Sequence, residues 1–218
     1  IAKRNNLKVI YDAAHAFGTN YKNQSVLRHG DISTLSFHAT KLFHTIEGGA
    51  VITKDKDLAE KIRHQTNFGI NPNSSKSMSL GTNAKMNEFE AAMGLCVLDD
   101  IDMIFEQRNN IWSNYKNQLD GLVDFQLWNS HSFNNFSYAP ILLANETELQ
   151  SIYKALNKQG ILAKRYFYPS LDTLDYLDHK YKCNISRDIS SRILCLPIYP
   201  GLTFDQQEIV IQTIRNHY

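Results

Sequence analysis

Short apolar runs crowd the start of this chain. Val9-Ile10-Tyr11-Asp12, residues 32–37 and Gly49-Ala50-Val51-Ile52-Thr53 each have the length and composition of a strand, and the first ends on an acid. Runs so short and so apolar suit strands buried on both faces, as in a parallel sheet. In such sheets the working side chains gather at the carboxyl ends of the strands, the position of Asp12. Helical patterns alternate with the runs. Asp55 is a candidate N-cap for a helix over 56–66, whose Leu58, Ile62 and Gln65 leave one apolar face. Residues 21–26 predict a small hairpin around Asn23. The alternation predicts an α/β fold.

Residues 67–84 carry Ser, Asn and Gly without periodicity, and a loop this long in a compact domain is usually functional or disordered. Asn87-Glu88-Phe89-Glu90 then reads as a capping box opening a long helix that continues, with a break, through Leu119. The character changes beyond that bridge. Residues 138–143 predict a strand. Asn145 with Glu148 opens a helix reaching Gln159, Gly160 stops it, residues 161–163 begin another strand, and Thr203 with Gln206 opens a terminal helix. The expected division is a larger domain over 1–110, bridging helix included, and a small α+β domain over 111–218. Residues 1–7 read as the tail of a helix and a turn feeding straight into a strand. The expectation is a piece of a longer chain, since a parallel sheet made only of these strands would leave a raw edge.

Composition removes several classes. The 218 residues carry a net charge of +1 with no basic run, which disfavours nucleic acid and anionic membranes as partners. No signal peptide or membrane-spanning stretch is legible. Cys96, Cys183 and Cys195 are far apart and odd in number, which suits reduced thiols in a cytoplasm. His38 and His44 lack the spacing and the third ligand of a metal site, so none is expected. No G-x-G-x-x-G is present to hold a nicotinamide cofactor.

The chemistry concentrates in Ser36-Phe37-His38-Ala39-Thr40-Lys41, shortly before Glu47-Gly48-Gly49-Ala50. A lone lysine at a strand end reads as a surface charge, but these neighbours change its meaning. An amine, a strand-end carboxylate and nearby hydroxyls are what a pyridoxal phosphate enzyme requires. Lys41 would hold the cofactor aldehyde as a Schiff base, and Asp12 would keep the pyridine nitrogen protonated. Ser36 and Thr40 offer hydroxyls to a phosphate, and Gly48-Gly49 permits a close backbone approach. Asp12 reads as readily as the N-cap of a helix over 13–17.

Tyr11-Asp12-Ala13-Ala14-His15-Ala16, the stretch from Gly30 to Lys41, Glu47-Gly48-Gly49-Ala50, Gly81-Thr82-Asn83-Ala84-Lys85-Met86-Asn87-Glu88 and Leu196-Pro197-Ile198-Tyr199-Pro200-Gly201-Leu202-Thr203 together closely resemble the sugar aminotransferases of the DegT/DnrJ/EryC1/StrS family. The resemblance runs through essentially the whole chain in the expected order. It implies the fold type I, aspartate-aminotransferase-like architecture of pyridoxal-phosphate transferases, here a partial large domain plus the small C-terminal domain. It also implies a homodimer with active sites at the subunit interface. By the same resemblance Lys41 would carry the cofactor and shuttle a proton, Asp12 would pair with the pyridine nitrogen, and His15 would stack on the ring. Ser36 would bond the cofactor phosphate, and Asn83 would reach it from the partner subunit. At Lys85 the family commonly has arginine, and a lysine offers a point charge in place of a fork. The family's glycine- and serine-bearing phosphate loop lies upstream and has no counterpart in this chain.

The implied activity moves an amino group from glutamate to a nucleotide-linked keto-deoxysugar for surface polysaccharide such as lipopolysaccharide O-antigen. The motif around Lys41 together with Arg165-Tyr166-Phe167-Tyr168-Pro169 most resembles enzymes acting at C4 of dTDP-4-keto-6-deoxyglucose. Arg165 would pair with the diphosphate and Tyr168 would stack on sugar or base; the alternative is a surface arginine beside core aromatics. Dehydratases of the same fold are one rival, but they carry histidine where this chain has Lys41. A non-catalytic regulatory or binding role is the other.

Overall fold

The computed structural model describes residues 1–177 and 181–218. In chain order its elements are β1 (Ile10–Asp12), β2 (Asn20–Tyr21), β3 (Gln24–Ser25), β4 (Ile32–Ser36), β5 (Gly49–Thr53), α1 (Lys56–Thr66), α2 (Glu88–Asp99), α3 (Ile101–Leu119), β6 (Asp124–Phe125), β7 (Ser132–Phe133), β8 (Ala139–Leu142), α4 (Glu146–Lys158), α5 (Asn184–Arg192), β9 (Ile193–Leu196) and α6 (Phe204–Arg215). Backbone contacts divide the chain into two units, Ile1–Asp102 with Asn129–Asn135, and Met103–Trp128 with Phe136–Tyr218. The division therefore falls near the start of α3, and a short stretch containing β7 belongs to the first unit.

In the first unit, β1 lies parallel to β4 and β5 antiparallel to it, giving the order β1-β4-β5. Asp12 sits opposite Thr34, and the Ala13 N–H donates to the Thr34 carbonyl at 2.9 Å. The hairpin expected over 21–26 is β2–β3. Lys22 and Asn23 at its tip have φ of 48° and 60°, the left-handed pair of a two-residue turn whose twist matches the strands. The segment around β7 returns to add a strand to the other side of β2. Asp55 caps α1 through the Leu58 N–H at 3.0 Å. The Asn87/Glu90 box opens α2, its reciprocal bonds measuring 2.9 and 3.0 Å. α2 ends at Asp99 and α3 starts at Ile101, the break expected in the bridging helix.

The expectation of strands buried on both faces does not hold: β4 buries one face, through Ser33 and Leu35, while Ile32, Thr34 and Ser36 on the other stay partly exposed. Ile10 in β1 is 64% exposed and Val51 in β5 is 44% exposed. The reason is topological. A sheet of three strands has two edges, and β1 and β5 are those edges. α2 is likewise apolar yet buries only Gly94, while Phe89, Leu95 and Leu98 are exposed.

The second unit holds the larger core. A sheet of order β6-β8-β9 packs with residues from α3, α4 and α6. Ile111, Tyr115 and Leu119 recur at helical spacing, as do Leu149, Ile152 and Leu156, and Val210, Ile211 and Ile214 complete the apolar layer. Each fully buried aliphatic side chain stabilises the fold by roughly 1.5–3 kcal/mol. Two large polar side chains in this core find backbone acceptors. The Tyr115 hydroxyl donates to the Pro197 carbonyl at 3.0 Å. Buried Arg108 donates to the Phe136 and Ser137 carbonyls at 2.8 and 2.7 Å, and burial pulls its pKa down to about 10.

The strand expected at 161–163 is absent. Only Lys164 pairs, in a single bridge to Cys195 with bonds of 3.0 and 2.8 Å. Upstream of the bridge the Ile161 N–H is taken by the Leu156 carbonyl at 3.0 Å, at the end of α4, and so is not available to a ladder. Among the described residues no helix is long and apolar enough to cross a membrane.

Candidate active site

Parallel pairing puts the ends of β1 and β4 side by side, so Asp12 and Ser36 stand at the same edge of the sheet. The chain then turns out of β1 in a loop bearing His15 and out of β4 in a loop bearing Lys41. No helix forms over residues 13–17. The Asp12 carboxylate caps a turn by accepting the Ala14 N–H at 3.1 Å. The two loops meet where Lys41 Nζ lies 3.4 Å from His15 Nε2.

That contact sets the electrostatics. Burial, then the positive charge of Lys41, holds the His15 pKa below its ordinary value, with Asp12 pulling the other way. The imidazole is therefore neutral at neutral pH, and its Nε2 accepts from the lysine. Below the loops, Phe43 stacks on Phe17 with ring centroids 4.5 Å apart and receives the edge of Phe37 at 4.7 Å. This apolar floor joins the His15 loop to the Lys41 loop.

Ser36 Oγ accepts the His38 N–H at 3.5 Å, a long bond that holds its hydroxyl beside the turn. Asn83 sits on a different loop of the same unit, bridged to Asn67. This is the polar loop over 67–84, and backbone bonds order it: Thr82 and Ala84 donate to the Gln65 and Thr66 carbonyls at 2.8 and 2.9 Å. Lys85 Nζ donates to Asn83 Oδ1 at 2.7 Å and stands 4.3 Å from the centre of the Phe68 ring. With its oxygen occupied, Asn83 has its amide N–H groups left to donate.

Arg165 and Tyr168 belong to the second unit and are brought together. The guanidinium lies 3.6 Å from the centre of the Tyr168 ring. It also donates to Glu146 at 2.9 Å and to the Ser191 carbonyl at 3.0 Å. Tyr168 is about half exposed.

One contributor to the site escaped the sequence. Buried Asn135 donates through Nδ2 to the His15 and Phe17 carbonyls at 2.7 and 2.8 Å, fixing the loop that carries the imidazole. Its partners are more than a hundred positions away, so no local pattern marks it. Among the described residues no cluster of His, Cys, Asp and Glu is suited to a metal ion.

Comparison with known proteins gives the family. The model of the DegT/DnrJ/EryC1/StrS aminotransferase family matches residues 1–215. The chain is 41% identical to dTDP-4-amino-4,6-dideoxy-D-glucose transaminase of Shigella dysenteriae, over 99% of this chain and 60% of the relative. It is 32% identical to GDP-perosamine synthase of Escherichia coli O157:H7, over 100% of this chain and 60% of the relative. A crystal structure of a DegT DnrJ EryC1 StrS aminotransferase from Brucella abortus superposes with a TM-score of 0.90 at 25% identity, covering 99% of this chain and 58% of that one. The chain thus spans about 60% of the length of the curated relatives it matches. Its architecture is part of the fold type I arrangement of pyridoxal-phosphate transferases. The family match through residue 215, the identity to its members and this structural likeness lead to one conclusion: the chain belongs to the DegT/DnrJ/EryC1/StrS aminotransferase family.

Proposed function

We propose that this protein is a pyridoxal-phosphate-dependent aminotransferase that moves an amino group from glutamate to a nucleotide-linked keto-deoxysugar. The observation that carries the reading is the convergence of Lys41, His15 and Asp12 at the carboxyl ends of β1 and β4, with the lysine amine 3.4 Å from the imidazole. Enzymes of this family depend on pyridoxal 5′-phosphate. When bound, that group supplies an electron sink for the substrate carbon and a carrier for the nitrogen.

The donor set fits it. Lys41 offers an amine able to hold an aldehyde and to take or give a proton at Nζ. Asp12 offers a carboxylate to keep a pyridine nitrogen protonated. His15, uncharged and pinned by Asn135, offers a flat ring face without competing for that proton. Ser36 Oγ and the Asn83 amide are donors for a phosphate, Asn83 reaching it from a second copy of the chain. The exposed Phe89, Leu95 and Leu98 of α2 support a homodimer. In this reading residues 1–110 are the C-terminal part of the cofactor-binding domain and 111–218 the small domain. Arg165 and Tyr168 serve the substrate, the arginine backing the tyrosine ring so that its other face can take sugar or base.

The relatives named above carry dTDP and GDP sugars in their names, and the substrate we assign is dTDP-4-keto-6-deoxyglucose, aminated at C4 for surface polysaccharide such as O-antigen. The three cysteines are all free, which supports a cytoplasmic setting. The test is direct. Protein incubated with pyridoxal phosphate and reduced with borohydride is expected to carry the label on Lys41 in a peptide map. The visible band before reduction is expected to fade when glutamate is added. A label spread over surface lysines, or equal labelling of Lys41→Ala, refutes the assignment.

A further inference from the structure

The loop that carries Lys41 is closed by side chains. β4 and β5 pair Leu35 with Ala50 and Ser36 with Gly49. One rung further the Phe37 N–H donates to the Gly48 carbonyl at 2.8 Å. The next rung in the same register joins residues 38 and 47, and there the side chains take over: His38 Nε2 lies 3.5 Å from Glu47 Oε1. The Lys41 N–H hangs from the His38 carbonyl at 2.9 Å, inside the loop so closed.

The hydrogen bonds fix the tautomer of His38. Its Nδ1 receives the Thr40 backbone N–H at 3.2 Å and lies 2.8 Å from the Thr40 hydroxyl. A backbone N–H can only donate, so Nδ1 must accept and the ring proton resides on Nε2, facing Glu47. Glu47 is held in turn, because the buried Thr45 hydroxyl donates to its carbonyl at 2.6 Å. A Cβ at Gly48 would run into that hydroxyl, and one at Gly49 would come within 2.7 Å of the Leu35 carbonyl. Those two positions have no side chains, so Glu47 is the last residue on the β5 side that can reach across.

We infer that Thr40, His38 and Glu47 form a latch across the mouth of the Lys41 loop, with His38 in its Nε2–H form as the positioning residue that presents the lysine amine. This rests on Lys41 being the cofactor lysine, but the latch itself can be read without cofactor. The variants are His38→Ala, His38→Asn, Glu47→Ala and Glu47→Gln. Asparagine keeps an acceptor for the Thr40 N–H but falls short of Glu47, and glutamine at 47 keeps an acceptor for Nε2–H without the charge.

Nitrogen-15 spectra of the imidazole are expected to report the Nε2–H tautomer. Hydrogen exchange at the Lys41 amide is expected to quicken by roughly three- to tenfold in His38→Ala and Glu47→Ala, the factor one net hydrogen bond gives. Glu47→Gln should stay near wild type and His38→Asn should fall between. Borohydride-trapped uptake of pyridoxal phosphate at Lys41 should slow in the same order. An Nδ1–H tautomer, exchange unchanged by either alanine, or Glu47→Gln as fast as Glu47→Ala overturns the latch. Uptake unaltered in variants whose exchange has quickened overturns the positioning role. Absence of uptake in the wild type, with the expected tautomer and exchange, sinks the cofactor reading and leaves the latch standing.

Discussion

Replacing Arg165 by methionine separates two roles that one side chain can hold. Its guanidinium stacks 3.6 Å from the Tyr168 ring centre, a contact worth about 0.5–1 kcal/mol where solvent has partial access. Its 3.0 Å bond to the Ser191 carbonyl is charge-assisted and contributes about 1.5–3 kcal/mol. The 2.9 Å pair with Glu146 adds under about 1 kcal/mol, because that carboxylate is nearly half exposed. Against these stands a cost: Arg165 Nε is buried without a hydrogen-bond partner, and removing such a donor returns about 1–3 kcal/mol. Methionine also keeps most of the apolar stem. The net expectation is a loss of about 1.5–2 kcal/mol on these combined figures. Urea unfolding followed by tryptophan fluorescence reads it as a lower midpoint at unchanged slope. Glu146→Gln, which removes only the ion pair, should cost less than about 1 kcal/mol. Stability equal to wild type in Arg165→Met would refute the structural account and leave the arginine to the substrate alone.

Two further outcomes follow from the charges. Lys41→Gln should raise the His15 pKa, since the lysine charge is one of the forces depressing it, while Asp12→Asn should lower it further; proton NMR titration of the imidazole checks both, and an unmoved value in Lys41→Gln contradicts the contact. The Asp172 carboxylate accepts the Cys183 N–H, the Ser170 hydroxyl and Arg187 Nε, and these hold its pKa at about 2. A depressed folded value means the stabilisation is whole above the unfolded pKa of about 3.9 and is lost as pH falls towards 2. Asp172→Asn should therefore flatten the decline of stability between those limits, measured by unfolding at stepped pH, and an unchanged decline would sink the argument.

What the sequence made legible was local. The Asn87/Glu90 and Thr203/Gln206 capping boxes and the left-handed pair at Lys22 and Asn23 are each settled by neighbours a few positions apart, and all stand where the pattern put them. The placing of Asp12, His15, Ser36 and Lys41 at one end of the sheet was readable for the same reason, since Asp12 and Ser36 end their strands and His15 and Lys41 lie in the loops that follow. Burial of β1 and β5 was not, because an apolar run specifies what a strand wants covered and says nothing of its rank in the sheet. The strand expected at 161–163 shrank to one bridge at Lys164, because the Ile161 N–H stays with the helix end at Leu156. Asn135 was invisible because an isolated asparagine between aromatic residues reads as loop until its distant acceptors are known.

The return of Asn129–Asn135 to the first unit has a consequence in time. His15 is held by Asn135 across 120 positions, and β2 finds its second partner in β7 over a similar span. In equilibrium terms such a closure is mild, since each doubling of loop length adds only about 0.6 kcal/mol. On a ribosome extending the chain by about 5–20 residues per second, those 120 positions take roughly 6–24 s to make. During that interval the His15 loop is synthesised but untied, and α3 and β6 are made before its anchor emerges. The ring beside Lys41 is thus translated well before its anchor and is secured only once Asn135 follows.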